Sequence, residues 1–166
     1  MQDVSMAPQV INGFVQPSFP FAKVFTFFFF SDSLVIAKTG SGSLNTAGIM
    51  KASLGGFTAA AMVAGAVGEV VDQNKATKQA DAAGELVEQL TSDTPASIVA
   101  AHKLNFQLPY DLIKEVKIKG PNFAGELSFC ITADKQHKFR MDKQSKESAR
   151  IVIDAFEQYV PGKVTR

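Results

Sequence analysis

At 166 residues, with 46% hydrophobic and 20% charged side chains, the chain is long enough for one well-buried domain and too short for two with a linker. Seventeen Lys/Arg against sixteen Asp/Glu leave a net charge of +1, which excludes a nucleic-acid binder held by bulk electrostatics. A single cysteine, Cys130, excludes an internal disulfide framework and fits the cytoplasm, and Met1-Gln2-Asp3-Val4-Ser5 lacks the basic and apolar regions of a secretory leader.

The first 22 residues contain Pro8, Pro17 and Pro20, which predict an extended arm over 1–22 laid across the core. Val24 to Phe30 follow as an unbroken apolar run with one Thr. Eight of the fourteen Phe residues lie between Phe14 and Phe30. β propensity makes this run a strand, Ser31-Asp32-Ser33 turns the chain, and Leu34-Val35-Ile36-Ala37 returns as a second strand. Because the run does not alternate with polar residues, both of its faces need cover from a helix, a second sheet or another subunit.

Residues 44–93 are predicted to form a helical insertion. The preceding Lys38-Thr39-Gly40-Ser41-Gly42-Ser43 lacks the terminal Gly-Lys-Ser/Thr of a phosphate loop, so no nucleotide cofactor is expected. Asn45 or Thr46 would cap the first helix. Within it, Gly48, Ala52, Gly56, Ala60, Ala64 and Gly68 recur at four-residue spacing, a nearly smooth stripe that lets a second backbone approach closely. The stripe predicts self-association in a homo-oligomer or a close helical hairpin. Alternatively, the uncharged residues 52–68 enter a bilayer, although 17 residues rise only about 26 Å against a hydrocarbon core of ~30 Å. A second, amphipathic helix is read from Ala76, Ala80, Ala83, Val87 and Leu90, and whether the two fold back or form one rod stays open.

The remainder, 94–160, returns to strand patterning. Leu104, Phe106 and Leu108 alternate, as do Val116 and Ile118, Leu127, Phe129 and Ile131, and His137, Phe139 and Met141. Asp142 is the expected N-cap of a last helix with Ala149, Val152, Ile153, Phe156 and Val160 on one side, stopped by Pro161-Gly162. Residues 102–150 hold ten Lys/Arg and six Asp/Glu. Lys135, Lys138, Arg140, Lys143 and Lys146 form the candidate contact for an anionic lipid or protein partner. No paired base, activated nucleophile or metal-ligand spacing accompanies His102, His137, Cys130 or Tyr110, so neither enzyme activity, metal nor cofactor is expected.

The run Phe106-Gln107-Leu108-Pro109-Tyr110-Asp111-Leu112-Ile113-Lys114-Glu115-Val116, followed by a hairpin closing with Lys138-Phe139-Arg140-Met141 and one amphipathic helix, resembles bacterial and archaeal pleckstrin-homology-like domains. The resemblance covers 23–39 and 102–160. It implies an α+β fold, a bent antiparallel sheet or partly open barrel of about seven strands with a C-terminal capping helix and an inserted helical hairpin. It also implies a non-enzymatic binding or assembly module. Phosphoinositide-binding members cluster Lys/Arg around the loop joining the first two strands, which on this reading is Ser31-Asp32-Ser33, with only Lys23 and Lys38 some way off.

Overall fold

The phenylalanine run is buried on both faces, as its pattern demands. In the computed structural model, which describes residues 7–17, 21–42 and 84–166, strand β2 (Ala22–Phe29) lies between β1 (Gln9–Gln16) and β3 (Ser33–Gly42). Phe25, Phe27 and Phe29 point into the main core with Ile11, Phe14, Leu34 and Ile36. Phe28 points the other way, with Val10, Val35 and Ala37.

Different helices cover the two faces. The described part of helix α1 (84–91) and helix α2 (Pro95–Ala101) place Val87, Leu90 and Ile98 over Phe28 and its neighbours. Helix α3 (Lys146–Tyr159) closes the main core through Ala149, Val152, Ala155 and Phe156. The Phe156 ring meets Phe14, Phe27, Phe29 and Phe129 at centroid separations of 5.2–6.5 Å. Most of these pairs are edge-on, the arrangement that ring quadrupoles favour. Burying that one side chain contributes roughly 2–3 kcal/mol.

The protein is thus α+β, with eight strands in the order β4-β3-β2-β1-β7-β6-β5-β8. The second half supplies β4 (Phe106–Pro109), β5 (Glu115–Lys119), β6 (Leu127–Thr132), β7 (Gln136–Met141) and β8 (Val164–Thr165). Seven strands are antiparallel to their neighbours and β8 alone runs parallel, to β5, so the sheet is mixed. Its edges β4 and β8 do not pair, and no barrel closes. The sheet nevertheless curls, since Phe106 of edge strand β4 stacks on His137 of β7 at 4.7 Å.

Four local readings change. Within the expected arm 1–22, Gln9–Gln16 is extended but lies inside the sheet, paired to β2 along its length and to β7 through Val15 and Arg140. The prolines bracket this strand instead of preventing it, because Pro8 and Pro17 fall just outside the paired residues. The first two strands are therefore β1 and β2, and Ser31-Asp32 belongs to the second turn. Helix α2 was not expected; Thr94 caps it by accepting from the Ser97 amide, with Pro95 in its first turn. Finally, Ser145 and not Asp142 caps α3, accepting from the Ser148 amide at 3.1 Å, while the Asp142 carboxylate lies 3.0 Å from Arg140 Nε.

The stripe Gly48, Ala52, Gly56, Ala60, Ala64 and Gly68 lies outside the described residues, as does the question of hairpin or rod. Among the described residues no helix is long and apolar enough to cross a membrane.

Candidate anionic-partner surface

Alternation on three adjacent strands builds a surface. In β5 Val116 and Ile118 point inward and Lys117 and Lys119 outward; in β6 Leu127, Phe129 and Ile131 are inward and Ser128, Cys130 and Thr132 outward. In β7 His137, Phe139 and Met141 are inward, leaving Gln136, Lys138 and Arg140 on the outside. The register pairs Lys117 with Cys130 and Cys130 with Lys138, then Lys119 with Ser128 and Ser128 with Arg140. Two rows result, each with a cation at both ends and a small neutral side chain between.

Neighbouring strands lie about 4.8 Å apart, so the cations of each row stand about 10 Å from one another at their Cα atoms. No two are directly opposed, which avoids the repulsion of like charges across a strand pair. Two of the four are partly compensated. Arg140 Nε lies 3.0 Å from Asp142 Oδ1, close enough for an ion pair although not aligned as a hydrogen bond, and Lys117 Nζ lies 4.0 Å from Glu115 Oε1. Lys119 and Lys138 have no ion-pair partner among the described residues. A phosphate or carboxylate over the Ser128–Cys130 strip would lie between the ammonium groups of Lys117, Lys119 and Lys138 and the Arg140 guanidinium.

The five cations chosen from sequence do not form one group. Lys138 and Arg140 stand on the outer face, Lys135 lies in the β6–β7 turn at one end, and Lys143 and Lys146 lie past the other end, where β7 leads into α3. Lys117 and Lys119 join the surface although sequence reading passed over them. Their signal was the alternation Glu115-Val116-Lys117-Ile118-Lys119; that β6 would bring them to Lys138 and Arg140 had no local mark.

The remaining candidates serve packing. His137 is buried against Phe106, and burial, reinforced by Lys135 and opposed by Asp134, holds its pKa below the ordinary histidine value. Tyr110 donates from its hydroxyl to the Phe30 carbonyl at 2.7 Å, and burial, then Tyr159 and Asp32, raise its pKa. His102 Nδ1 accepts from the Leu104 amide just after α2. Among the described residues no group of three His, Cys, Asp or Glu side chains could hold a metal ion. In comparisons with known proteins, no family model matches the chain, and neither does any curated protein or solved structure.

Proposed function

We propose that the chain is a non-enzymatic binding module of the pleckstrin-homology-like type that docks an anionic partner on the outer face of β5–β7. Seven mutually antiparallel strands followed by a helix packed on the sheet support the fold half of this reading. The observation that carries the functional half is the pair of rows Lys117–Cys130–Lys138 and Lys119–Ser128–Arg140. The connection between β1 and β2, Pro17-Ser18-Phe19-Pro20-Phe21, has no basic residue of its own, so charge favours the β5–β7 face over that loop. Self-association through Gly48, Ala52, Gly56, Ala60, Ala64 and Gly68 completes the reading and rests on sequence spacing alone.

The test is retention on a phosphate-bearing matrix as salt is raised, since contacts of this kind are screened within about 10 Å at 0.1 M salt. Lys117→Glu/Lys138→Glu should elute at distinctly lower salt than Lys103→Glu/Lys114→Glu, which makes the same charge change elsewhere. Equal losses from the two pairs would overturn the assignment.

A further inference from the structure

Phe123 is fully exposed, at 113% of its reference surface, whereas Phe21 and Leu112, the other large exposed apolar side chains among the described residues, stand near 60%. Single exposed apolar residues are ordinary on protein surfaces. Phe123 differs in how it is held and in what surrounds it. It sits in the β5–β6 connection, whose first six residues, Gly120-Pro121-Asn122-Phe123-Ala124-Gly125, carry no charge and whose seventh is Glu126.

The connection is braced from both sides. Asn122 Oδ1 accepts from the amides of Ala124 and Glu126, both at 3.0 Å, and the Gly125 amide donates to the Asn122 carbonyl. From the neighbouring segment the Gln144 amide donates to the Gly125 carbonyl at 2.7 Å. Gly120 and Gly125 have positive φ, and a Cβ on either would fall within 2.4 or 2.7 Å of a backbone oxygen, so this path needs glycine twice. The backbone that carries the phenyl ring is therefore held at a defined place.

Three lysines flank that connection. Lys119 immediately precedes Gly120, the Lys143 backbone lies against Gly125, and Lys146 opens α3 two residues after Gln144, whose amide bonds the Gly125 carbonyl. All three are exposed and none has an ion-pair partner among the described residues. The acidic groups at this end are Glu126, half-buried, Asp142, engaged with Arg140, and Glu147, exposed in the first turn of α3. An uncharged tip carrying one aromatic ring, with a collar of three unpaired lysines that outnumber, among the described residues, the unpaired Glu126 and Glu147, matches the chemistry of an anionic bilayer surface, whose headgroups attract the lysines while the acyl boundary receives the ring. We infer that the Phe123 connection inserts into the interface of an anionic membrane, with Lys119, Lys143 and Lys146 on the headgroups. This deepens the anionic-partner reading, on which it rests, by naming the partner.

The chain contains no tryptophan, so Phe123→Trp gives a single reporter at an exposed site. Mixed with phosphatidylserine-containing vesicles at low salt, it should show a blue-shifted emission that brominated acyl chains quench, with no shift on pure phosphatidylcholine vesicles. Phe123→Ser should reduce co-sedimentation about tenfold, the order set by withdrawing one phenyl group from an apolar environment, and Lys143→Glu/Lys146→Glu should reduce it at least as much. Near-ultraviolet dichroism checks that each variant keeps the native core. Co-sedimentation without shift or quenching would mean headgroup adsorption only and would overturn insertion, and a shift of equal size on neutral vesicles would overturn the role of the collar. Retention on the phosphate matrix without vesicle binding would assign the basic face to a soluble acidic partner and overturn the membrane inference alone. Loss of both would remove the anionic-partner reading as well.

Discussion

The hydroxyl of Tyr110 donates a 2.7 Å hydrogen bond to the main-chain carbonyl of Phe30, joining the end of β2 to the 3-10 turn after β4. The same corner receives the Tyr110 amide on the Asp32 carbonyl and the Lys163 ammonium on the Tyr110 carbonyl. Tyr110→Phe removes one bond and keeps the ring contact with Tyr159. Denaturant titration should show a loss of about 1 kcal/mol with an unchanged m-value.

Asn105 ties the outer helical layer to the sheet. Its Oδ1 accepts from the Lys38 amide at 2.8 Å and its Nδ2 donates to the Ile98 carbonyl at 2.7 Å, with the residue 7% exposed. Asn105→Ala strands a donor on β3 and an acceptor on α2. The expected loss is about 2–3 kcal/mol by chemical denaturation, and Asn105→Asp should recover the Lys38 bond but not the one to Ile98.

Ser145 and Asp142 make opposite forecasts for α3. Ser145→Ala removes the side chain that accepts from Ser148 and should cost about 1 kcal/mol. Asp142→Ala removes only the partly exposed pair with Arg140 and should cost well under that. Thermal melts of the two variants side by side decide between them; the reverse order would return the cap to Asp142.

Phe156 lies among four aromatic rings with no exposure. Phe156→Ala should cost about 3–5 kcal/mol, read from the denaturation midpoint.

His137 makes stability depend on pH. Its folded pKa lies below the ordinary value near 6.5, so above about pH 6.5 the imidazole is neutral in both states and its packing is fully favourable. As pH falls through that value the unfolded chain takes up a proton that the folded protein resists, so stability falls with decreasing pH until the folded pKa is reached. His137→Gln should flatten the stability profile between about pH 7 and 5 relative to the parent protein. Identical slopes in the two proteins would show that His137 titrates alike in both states.

Most strands were legible because period-2 alternation is local: Val116/Ile118, Leu127/Phe129/Ile131 and Phe139/Met141 turn inward as their spacing predicts. Phe25 to Phe30 foretold cover on two sides but not its source. β1 was missed because Pro8 and Pro17 dominate its ends, and because Gly13 interrupts its alternation at a bulge between Asn12 and Phe14. Helix α2 was missed although Thr94-Pro95 is a helix start, since the same residues also read as a turn. The basic face was half legible: alternation places Lys117, Lys119, Lys138 and Arg140 outward, whereas their meeting across β6 is a long-range pairing with no local signal. Phe123 carried none, because an aromatic residue in a loop reads from sequence as buried.

The place of β1 between β2 and β7 sets the order in which this protein can assemble. The two halves of the sheet meet at one bridge, Val15 to Arg140, so β1, the first of the described strands, waits for β7, the last but one of them. Until β7 is made, one edge of a phenylalanine-rich three-stranded ribbon is unpaired, and α3, which covers its inner face, is later still. Such a ribbon is the kind of surface that chaperones hold. Truncation anywhere before Arg140 therefore leaves the β1 edge of this phenylalanine-rich ribbon without the strand that pairs with it.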